Sequence, residues 1–288
     1  MPGRLDKNCG LDKKINMLKF SVCIAVYMGN EASHFREAVL SIYHQSTVPD
    51  EIVVVQDGPV SPAVEGVLAE LQASISILRI VRLEQNVGHA IARQKGMEAA
   101  RNEWIAIMDS DDIAVPNRFE LQLKAIDQHP EVSVVGGLIR EFVENPAVPV
   151  GMRLVPQLDA EIKEYMKARC PMNFVTVMMR KSHVQAVGGF IDWYCEEDYY
   201  LWVRLALAGY RFYNLQDNLV NVRVGEEMYQ RRGGLRYFKS EERLQRYMRK
   251  KHLISPFRYL YNVAIRFAVQ VAMPNKVRGW VFKMFARN

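Results

Sequence analysis

The densest chemistry in this 288-residue sequence is the run Asp109-Ser110-Asp111-Asp112. It follows Trp104 to Met108 (WIAIM), an apolar stretch of strand length. Two carboxylates at i and i+2 just past a strand project to one side of the chain. Crowded together they repel, and a hard divalent cation such as Mn2+ or Mg2+ relieves the repulsion through oxygen ligands. Such an ion can also bridge to a diphosphate and neutralise charge building on a leaving group. The same run reads equally well as an Asx-rich turn that caps the next helix. Asp57 follows the apolar run Glu51 to Val55 (EIVVV), where a carboxylate can accept a hydrogen bond from a nucleobase N–H. The pattern Asn86-x-Gly88-x-x-x-Ala92-Arg93-x-x-Gly96 sets small residues where backbones must approach closely, with Arg93 on the adjoining helix. A guanidinium there suits a diphosphate or an aspartate of the site; a surface ion pair is the plainer alternative. Glu196-Glu197-Asp198 opens an aromatic-rich helix in the second half. Acids there either cap the helix N-terminus or supply a second acidic centre.

The elements that must position these groups alternate at βαβ spacing. Phe20 to Tyr27 (FSVCIAVY), Glu51 to Val55, Ile75 to Val81 and Trp104 to Met108 read as strands. Between them, Glu31 to Gln45, Val64 to Leu71 and Asn86 to Ala100 carry helical spacing. The expected fold is therefore α/β, a largely parallel sheet with helices on both faces, with ligands beyond the carboxyl ends of the strands. Asp57 and the Asp109–Asp112 run both stand at such ends. Further on, Arg118 to Gln128 reads as a helix, Val132 to Val135 and Phe174 to Met179 as strands, and Glu196 to Ala208 as a helix. Trp202 in that last helix is expected in the core, and the sequence contains no internal repeat.

Composition bounds the setting. With 49% hydrophobic and 24% charged residues the chain can bury a substantial core. The four cysteines are widely spaced, which favours free thiols in a reducing compartment over a disulfide framework or a zinc site. No apolar run has the roughly 18 to 20 residues needed to span a bilayer. Residues 1–17 are too polar for a secretory signal and read as an extension before a fold that begins near Leu18. A cytoplasmic location is the expectation.

The ordered series Val26-Tyr27, Ser41-Ile42-x-x-Gln45, Gln56-Asp57-Gly58, Asn86-x-Gly88 with Ala92-Arg93, and Asp109-Ser110-Asp111-Asp112 with Pro116 and Arg118 resembles family 2 glycosyltransferases of the GT-A fold. It continues through Val187-Gly188-Gly189-Phe190 and Glu197-Asp198-Tyr199-Tyr200-Leu201-Trp202, and covers residues from about 20 to 225. More faintly, through Arg231-Arg232-Gly233-Gly234, it resembles the bacterial branch that builds amylovoran, capsules and O-antigens. The resemblance implies a catalytic GT-A domain over 18–225 that moves a hexose from a UDP-sugar onto a polyprenyl-diphosphate-linked saccharide, with inversion. It implies Tyr27 against the base, Asp57 at its edge, Asp111 as main metal ligand, and Asp109 towards the ribose or a metal-bound water. Asp198 is implied as catalytic base, with Glu197, Arg231 and Arg232 as candidate acceptor or diphosphate contacts. Chemically, one displacement needs a carboxylate beside the attacking hydroxyl, opposite the departing diphosphate, and Glu196-Glu197-Asp198 is the acidic cluster available. Departures from the family pattern fall at Met28, Ala25 and Phe174.

Residues 226–288 form a basic tail. Residues 231–288 hold fifteen Lys and Arg against two Glu, so the body before them is mildly acidic although the net charge is +6. From Phe257 to Met273 the polar residues Arg258, Asn262, Arg266 and Gln270 recur every four, one narrow stripe on an otherwise apolar helix. This suits a helix in the interface of an anionic membrane, or one packed on the catalytic domain with its arginines at the rim. Nucleic acid is a poorer partner, because the stripe is too apolar and no groove-reading motif is present. Two rival functions remain: a sugar nucleotidyltransferase, which wants a Gly-rich, Arg-bearing loop after the first strand that VYMGNEAS lacks, and a catalytically silent membrane scaffold.

Overall fold

The computed structural model describes residues 18–225 and 233–273. Arg231, Arg232, the 1–17 extension and the last part of the tail lie outside the described residues. Four strands, β1 (Phe20–Val26), β2 (Glu51–Gln56), β3 (Leu78–Arg82) and β4 (Trp104–Met108), pair in parallel in the order β3-β2-β1-β4. Helices α1 (Ala32–Tyr43), α2 (Pro62–Ser74) and α3 (His89–Ala99) make the crossovers. Strands β1, β2 and β4 are apolar on both faces because helices cover both. Phe35, Ala38, Val39 and Ile42 of α1 close one core; Ala92 and Met97 of α3 belong to the other. The register brings Val26 beside Gln56 and Ile24 beside Met108, so the acids that follow β2 and β4 emerge at one edge.

Beyond β4 the sheet becomes mixed. After β5 (Ile113–Ala114) and helix α4 (Arg118–Gln128) come β6 (Val134–Phe142), β7 (Gly151–Arg153), β8 (Met178–Arg180) and β9 (Phe212–Arg223). The order continues β4-β8-β6-β9-β5, with β8 antiparallel to both neighbours, β9 parallel to β6, and β7 paired to β6 alone. Three strand expectations shift: the one over Val132 to Val135 becomes β6, which starts at Val134 and runs on to Phe142. Ile75 ends α2, its N–H donating to Leu71 O, and the strand starts at Leu78. Phe174–Thr176 is a 3-10 turn, because the Thr176 hydroxyl and N–H both donate back to Asn173 O, at 2.7 and 2.9 Å.

Helices α5 (Asp159–Met166), α6 (Lys181–Ala186) and α7 (Glu197–Leu207) cover the second half. The tail supplies α8 (Leu235–Lys250) and α9 (Pro256–Phe267), the latter running into a π-helical turn at Ala268–Ala272. Leu244 and Met248 of α8 and Ile254 join the core around Trp193 and Trp202. Helix α9 docks through its polar stripe: Asn262 Nδ2 donates to Lys167 O at 2.8 Å and to Gln245 Oε1 at 2.7 Å, and Arg266 Nη2 donates to Ala168 O at 2.7 Å. Its apolar face points outward, with Phe257 79%, Leu260 65% and Tyr261 53% exposed. The polar stripe is therefore the packed face of this helix, with Asn262 buried and Arg266 turned inward. Among the described residues no helix is long and apolar enough to cross a membrane.

The turn after β2 depends on Gly58. Its φ is +78°, and a Cβ there would lie 2.5 Å from Asn86 N, so a side chain would meet backbone in a conformation L-residues avoid. Gly58→Ala is expected to lower stability by about 1–3 kcal/mol in urea unfolding, because Asn86–Gly88 must move aside. An unchanged midpoint would show that the two loops do not need this approach.

Candidate active site

The carboxyl ends of β1, β2 and β4 and the start of α3 enclose a cavity of about 310 Å³, of the size that takes a small ligand. Asp57 is buried in its wall, its Oδ1 accepting Val87 N–H at 2.7 Å and its Oδ2 accepting Gly88 N–H at 3.1 Å. One side chain thus shapes the turn into α3, while each oxygen keeps a further lone pair for a ligand. Tyr27 is half-exposed at the rim, its N–H on Asn30 Oδ1 and its ring edge-on to His89 at 6.0 Å. Gly29 lies close beneath that ring: a Cβ there would come within 2.7 Å of it.

Asp109 and Asp111 line this cavity. Asp112 does not: it is buried, and its Oδ1 accepts the Arg223 N–H of β9 at 2.8 Å. None of these acids caps the helix that follows, whose N-cap is Asn117; Asp112 instead ties the run to β9. Burial, then the neighbouring Asp109 charge, raises the Asp111 carboxyl above its ordinary pKa. Burial and the charges of Asp109 and Asp111 raise Asp112 well above its own. Among the described residues no three His, Cys, Asp or Glu form a metal cage.

A second cavity of about 430 Å³ adjoins the first, with His89 and Arg93 lining both. Glu196, Glu197 and Asp198 enter it from the start of α7. Asp198 Oδ1 accepts the Tyr199 N–H at 2.7 Å, and its Oδ2 lies 3.7 Å from Cys170 Sγ. Burial and then the Asp198 charge raise the Glu197 carboxyl, against the pull of Arg93. Glu196 is raised well above the carboxylate range by burial and then by Glu241.

Arg93 joins the two cavities. Its Nη2 donates to Asp109 Oδ1 at 3.1 Å and its Nη1 to Glu197 Oε1 at 2.9 Å. Its guanidinium stacks over Phe174, 4.3 Å from the ring centroid. Burial works against this charge, but Asp109 and Glu197 outweigh it and leave its pKa raised.

Tyr27, Asp57, Arg93, Asp109 and Asp111 come together in the first cavity, and Arg93, Glu197 and Asp198 in the second. Trp202 is in the core, as expected. Sequence reasoning missed Arg153, Arg169, Cys170, Tyr237, Glu241 and Arg266, which complete the second cavity from β7, the end of α5, α8 and α9. Only the four-residue stripe holding Arg266 left a trace, and it fits a rim position as well as an inward one.

A sequence profile for Glycosyl transferase family 2 matches residues 21–188. The chain belongs to glycosyltransferase family 2. An "Uncharacterized glycosyltransferase" of Haemophilus influenzae is 37% identical, over 94% of this chain and 100% of that protein. The Escherichia coli protein named UDP-Gal:alpha-D-GlcNAc-diphosphoundecaprenol beta-1,3-galactosyltransferase is 31% identical over 93% of this chain and 97% of its own. The amylovoran biosynthesis glycosyltransferase AmsE of Erwinia amylovora is 36% identical over 79% and 84%. Among solved structures, the mannosyltransferase PcManGT of Pyrobaculum calidifontis with GDP-Man and Mn2+ aligns with a TM-score of 0.61 at 16% identity, over 92% of this chain and 79% of that one. S. aureus TarS 1-349 with UDP-GlcNAc aligns at 0.62 and 21%, over 87% and 73%. The family 2 chain thus has the GT-A fold that its motifs imply, and the nucleotidyltransferase reading is set aside.

The Arg93–Glu197 pair is largely shielded from water, with side chains 14% and 16% exposed, so losing one partner strands the other. Arg93→Met is expected to destabilise the enzyme by on the order of 3 kcal/mol at neutral pH. Glu197, already raised, then rises further, and a carboxyl with a raised folded-state pKa loses stability as pH climbs from its unfolded value through the raised one. The deficit should therefore be smallest in mild acid and grow towards neutrality in denaturation curves. A pH-independent deficit would mean that Glu197 does not depend on Arg93.

Proposed function

We propose that this enzyme is an inverting hexosyltransferase that takes its sugar from a UDP-hexose and passes it to a lipid-linked saccharide in bacterial surface-polysaccharide assembly. The observation that carries this reading is Arg93, which ties the acids of one cavity to those of a second. One displacement needs a leaving-group end and a base end facing each other across a sugar; the bridge runs from Asp109 to Glu197, and Asp198, next to Glu197, lines the same cavity. Tyr27 packs on the base and Asp57 takes its N–H edge. Asp111, with Asp109 beside it, would hold Mn2+ or Mg2+: two crowded carboxylates fit a hard cation that completes its shell with phosphates and water. Such an ion neutralises charge on the departing diphosphate. The acceptor hydroxyl gives its proton to the Asp198 carboxylate as its oxygen bonds the anomeric carbon. The bond from that carbon to the phosphate oxygen breaks, and UDP leaves with the electron pair. Attack from the far face inverts the configuration. The E. coli relative named for UDP-Gal and a diphosphoundecaprenol acceptor, and the neighbours holding Mn2+ or UDP-GlcNAc, support these substrate and metal assignments.

The site of action in this reading is the inner face of the plasma membrane, with the enzyme peripheral. The outward apolar face of α9 would enter the interface, and the basic tail would meet anionic headgroups. A second copy is a poor cover for that face, because two tails with this excess of Lys and Arg repel.

A panel of nucleotide sugars with Mn2+ tests the reading directly. Asp198→Asn should keep UDP-sugar binding and slow transfer by about 10²–10⁴-fold, whereas Asp111→Ala should lose the Mn2+-dependent thermal shift with UDP. NMR couplings of the product should show inversion; retention from a UDP-α-hexose would sink the mechanism. For the membrane contact, the double change Leu260→Glu with Ile265→Glu should weaken binding to anionic vesicles at least about tenfold, since burying one such side chain is worth about 1.5–3 kcal/mol. Undiminished vesicle binding by the folded variant would remove α9 from the interface.

A further inference from the structure

Asp109 and Asp111 are held by different means. The Asp109 carboxylate is bonded directly, by Arg93 of α3. Asp111 stands in the turn after β4, and its carboxylate faces the first cavity only as steadily as its backbone is fixed. The end of β9 fixes that backbone. Arg223 Nε donates to Asp111 O at 3.2 Å, and the Arg223 N–H donates to Asp112 Oδ1 at 2.8 Å. Ile113 and Ala114 then pair with Asn221 and Val220, and the Val115 N–H donates to Leu219 O at 3.0 Å. Each residue from Asp111 to Val115 is thus tied to one between Leu219 and Arg223. Strand pairing alone accounts for only part of this, since β5 begins at Ile113; the two Arg223 contacts carry the attachment past the strand and into the acidic run.

The Arg223 side chain is itself pinned. Its Nη2 donates to Glu37 Oε2 of α1 at 2.8 Å, and its guanidinium lies 4.7 Å from the ring centroid of Phe142, its register partner on β6. The side chain is 16% exposed, so these contacts meet little competition from water. A guanidinium is planar, with Nε and Nη2 at a fixed angle. One rigid group therefore relates the position of Glu37 to that of the Asp111 carbonyl, and an ammonium on a flexible stem would not. Arg223 is not among the residues that line either cavity, so its influence on a ligand there passes through Asp111.

We infer that Arg223 is a positioning residue for the metal centre: by holding the Asp111 main chain against β9 it aims the Asp111 carboxylate into the first cavity, and so sets the affinity for the divalent cation. Glu37 is the anchor that keeps the guanidinium in place. This rests on Asp111 as a metal ligand, as proposed above. Arg223 does not touch the cation. A contact made to a metal-binding residue, and not to the metal, is commonly worth about 10–100-fold in metal affinity.

The test titrates Mn2+ into the full chain with saturating UDP and follows free Mn2+ by electron paramagnetic resonance, against a protein-free blank containing the same UDP. Arg223→Gln should weaken Mn2+ binding about 10–100-fold, and Arg223→Lys, which keeps the charge but not the planar fork, should recover only part of that. Glu37→Gln should weaken binding in the same direction by less; its side chain is 48% exposed, so it serves if Arg223→Gln does not fold. A merely structural role would lower the urea midpoint of the metal-free protein and leave the Mn2+ affinity unmoved, which overturns the inference. Asp111→Ala, titrated in parallel, separates this failure from that of the proposed function. If Asp111→Ala loses Mn2+ while the Arg223 and Glu37 variants keep it, the positioning role alone fails. If Asp111→Ala binds Mn2+ as tightly as the wild type, or the wild type binds none, the metal assignment fails and takes the positioning role with it.

Discussion

Arg93 carries a desolvated charge that two carboxylates from distant parts of the chain must balance. Asp109 follows the last strand of the parallel sheet, and Glu197 begins a helix that is reached only after the sheet has turned antiparallel. Burial and the Asp198 charge raise Glu197, against the pull of Arg93. The guanidinium bonds both acids at once, and the Phe174 ring packs against it. The distance between the two acidic centres is therefore held by a charge balance as well as by backbone packing. A rigid link of this kind suits a site whose two reacting ends must face each other at fixed separation.

Other contacts serve that bridge. Asp57 and Gly58 fix the entry to α3 and hence the position of Arg93 on its first turns. Gly189, at φ +68°, lets Gln94 approach closely enough to accept the Phe190 N–H at 2.8 Å, which ties α3 to the loop before α7. Arg118, fully buried, spends its donors on Ile107 O, Met108 Sδ and Gln122, and burial brings its pKa down to about 9. It braces the end of β4 from below, where the acidic run begins. Glycines and buried polar groups gather around this edge because backbones and charges must come close there.

The parallel half was legible in the sequence because β1, β2 and β4 are apolar runs closely followed by Gly or Asp, and strand ends in a parallel sheet line up. That alignment alone brings Asp57, Asp109 and Asp111 to one edge. The second half was less legible, since its strands are short or irregular and its site residues arrive by long-range packing. Phe174 lies in an apolar run that reads as strand, yet local bonds between Asn173 and Thr176 curl it into a turn under Arg93. Nothing near Arg153 or Cys170 in the sequence marks them as neighbours of Asp198. The four-residue stripe of α9 was plain, but spacing fixes only that the polar groups share a face; whether that face meets protein or water is decided by the carbonyls of Lys167 and Ala168, far away in sequence.

The inward turn of that stripe divides the labour along the chain. The first cavity is lined by residues before 112, whereas Tyr237, Glu241 and Arg266 of the tail wall the other cavity. In the proposed reading, exchanging residues from about 233 onward between family relatives would therefore graft one enzyme's acceptor wall, together with its outward apolar face, onto another's nucleotide-sugar site. Acceptor choice and membrane contact would travel as one inherited module, free to diversify while the choice of donor stays behind.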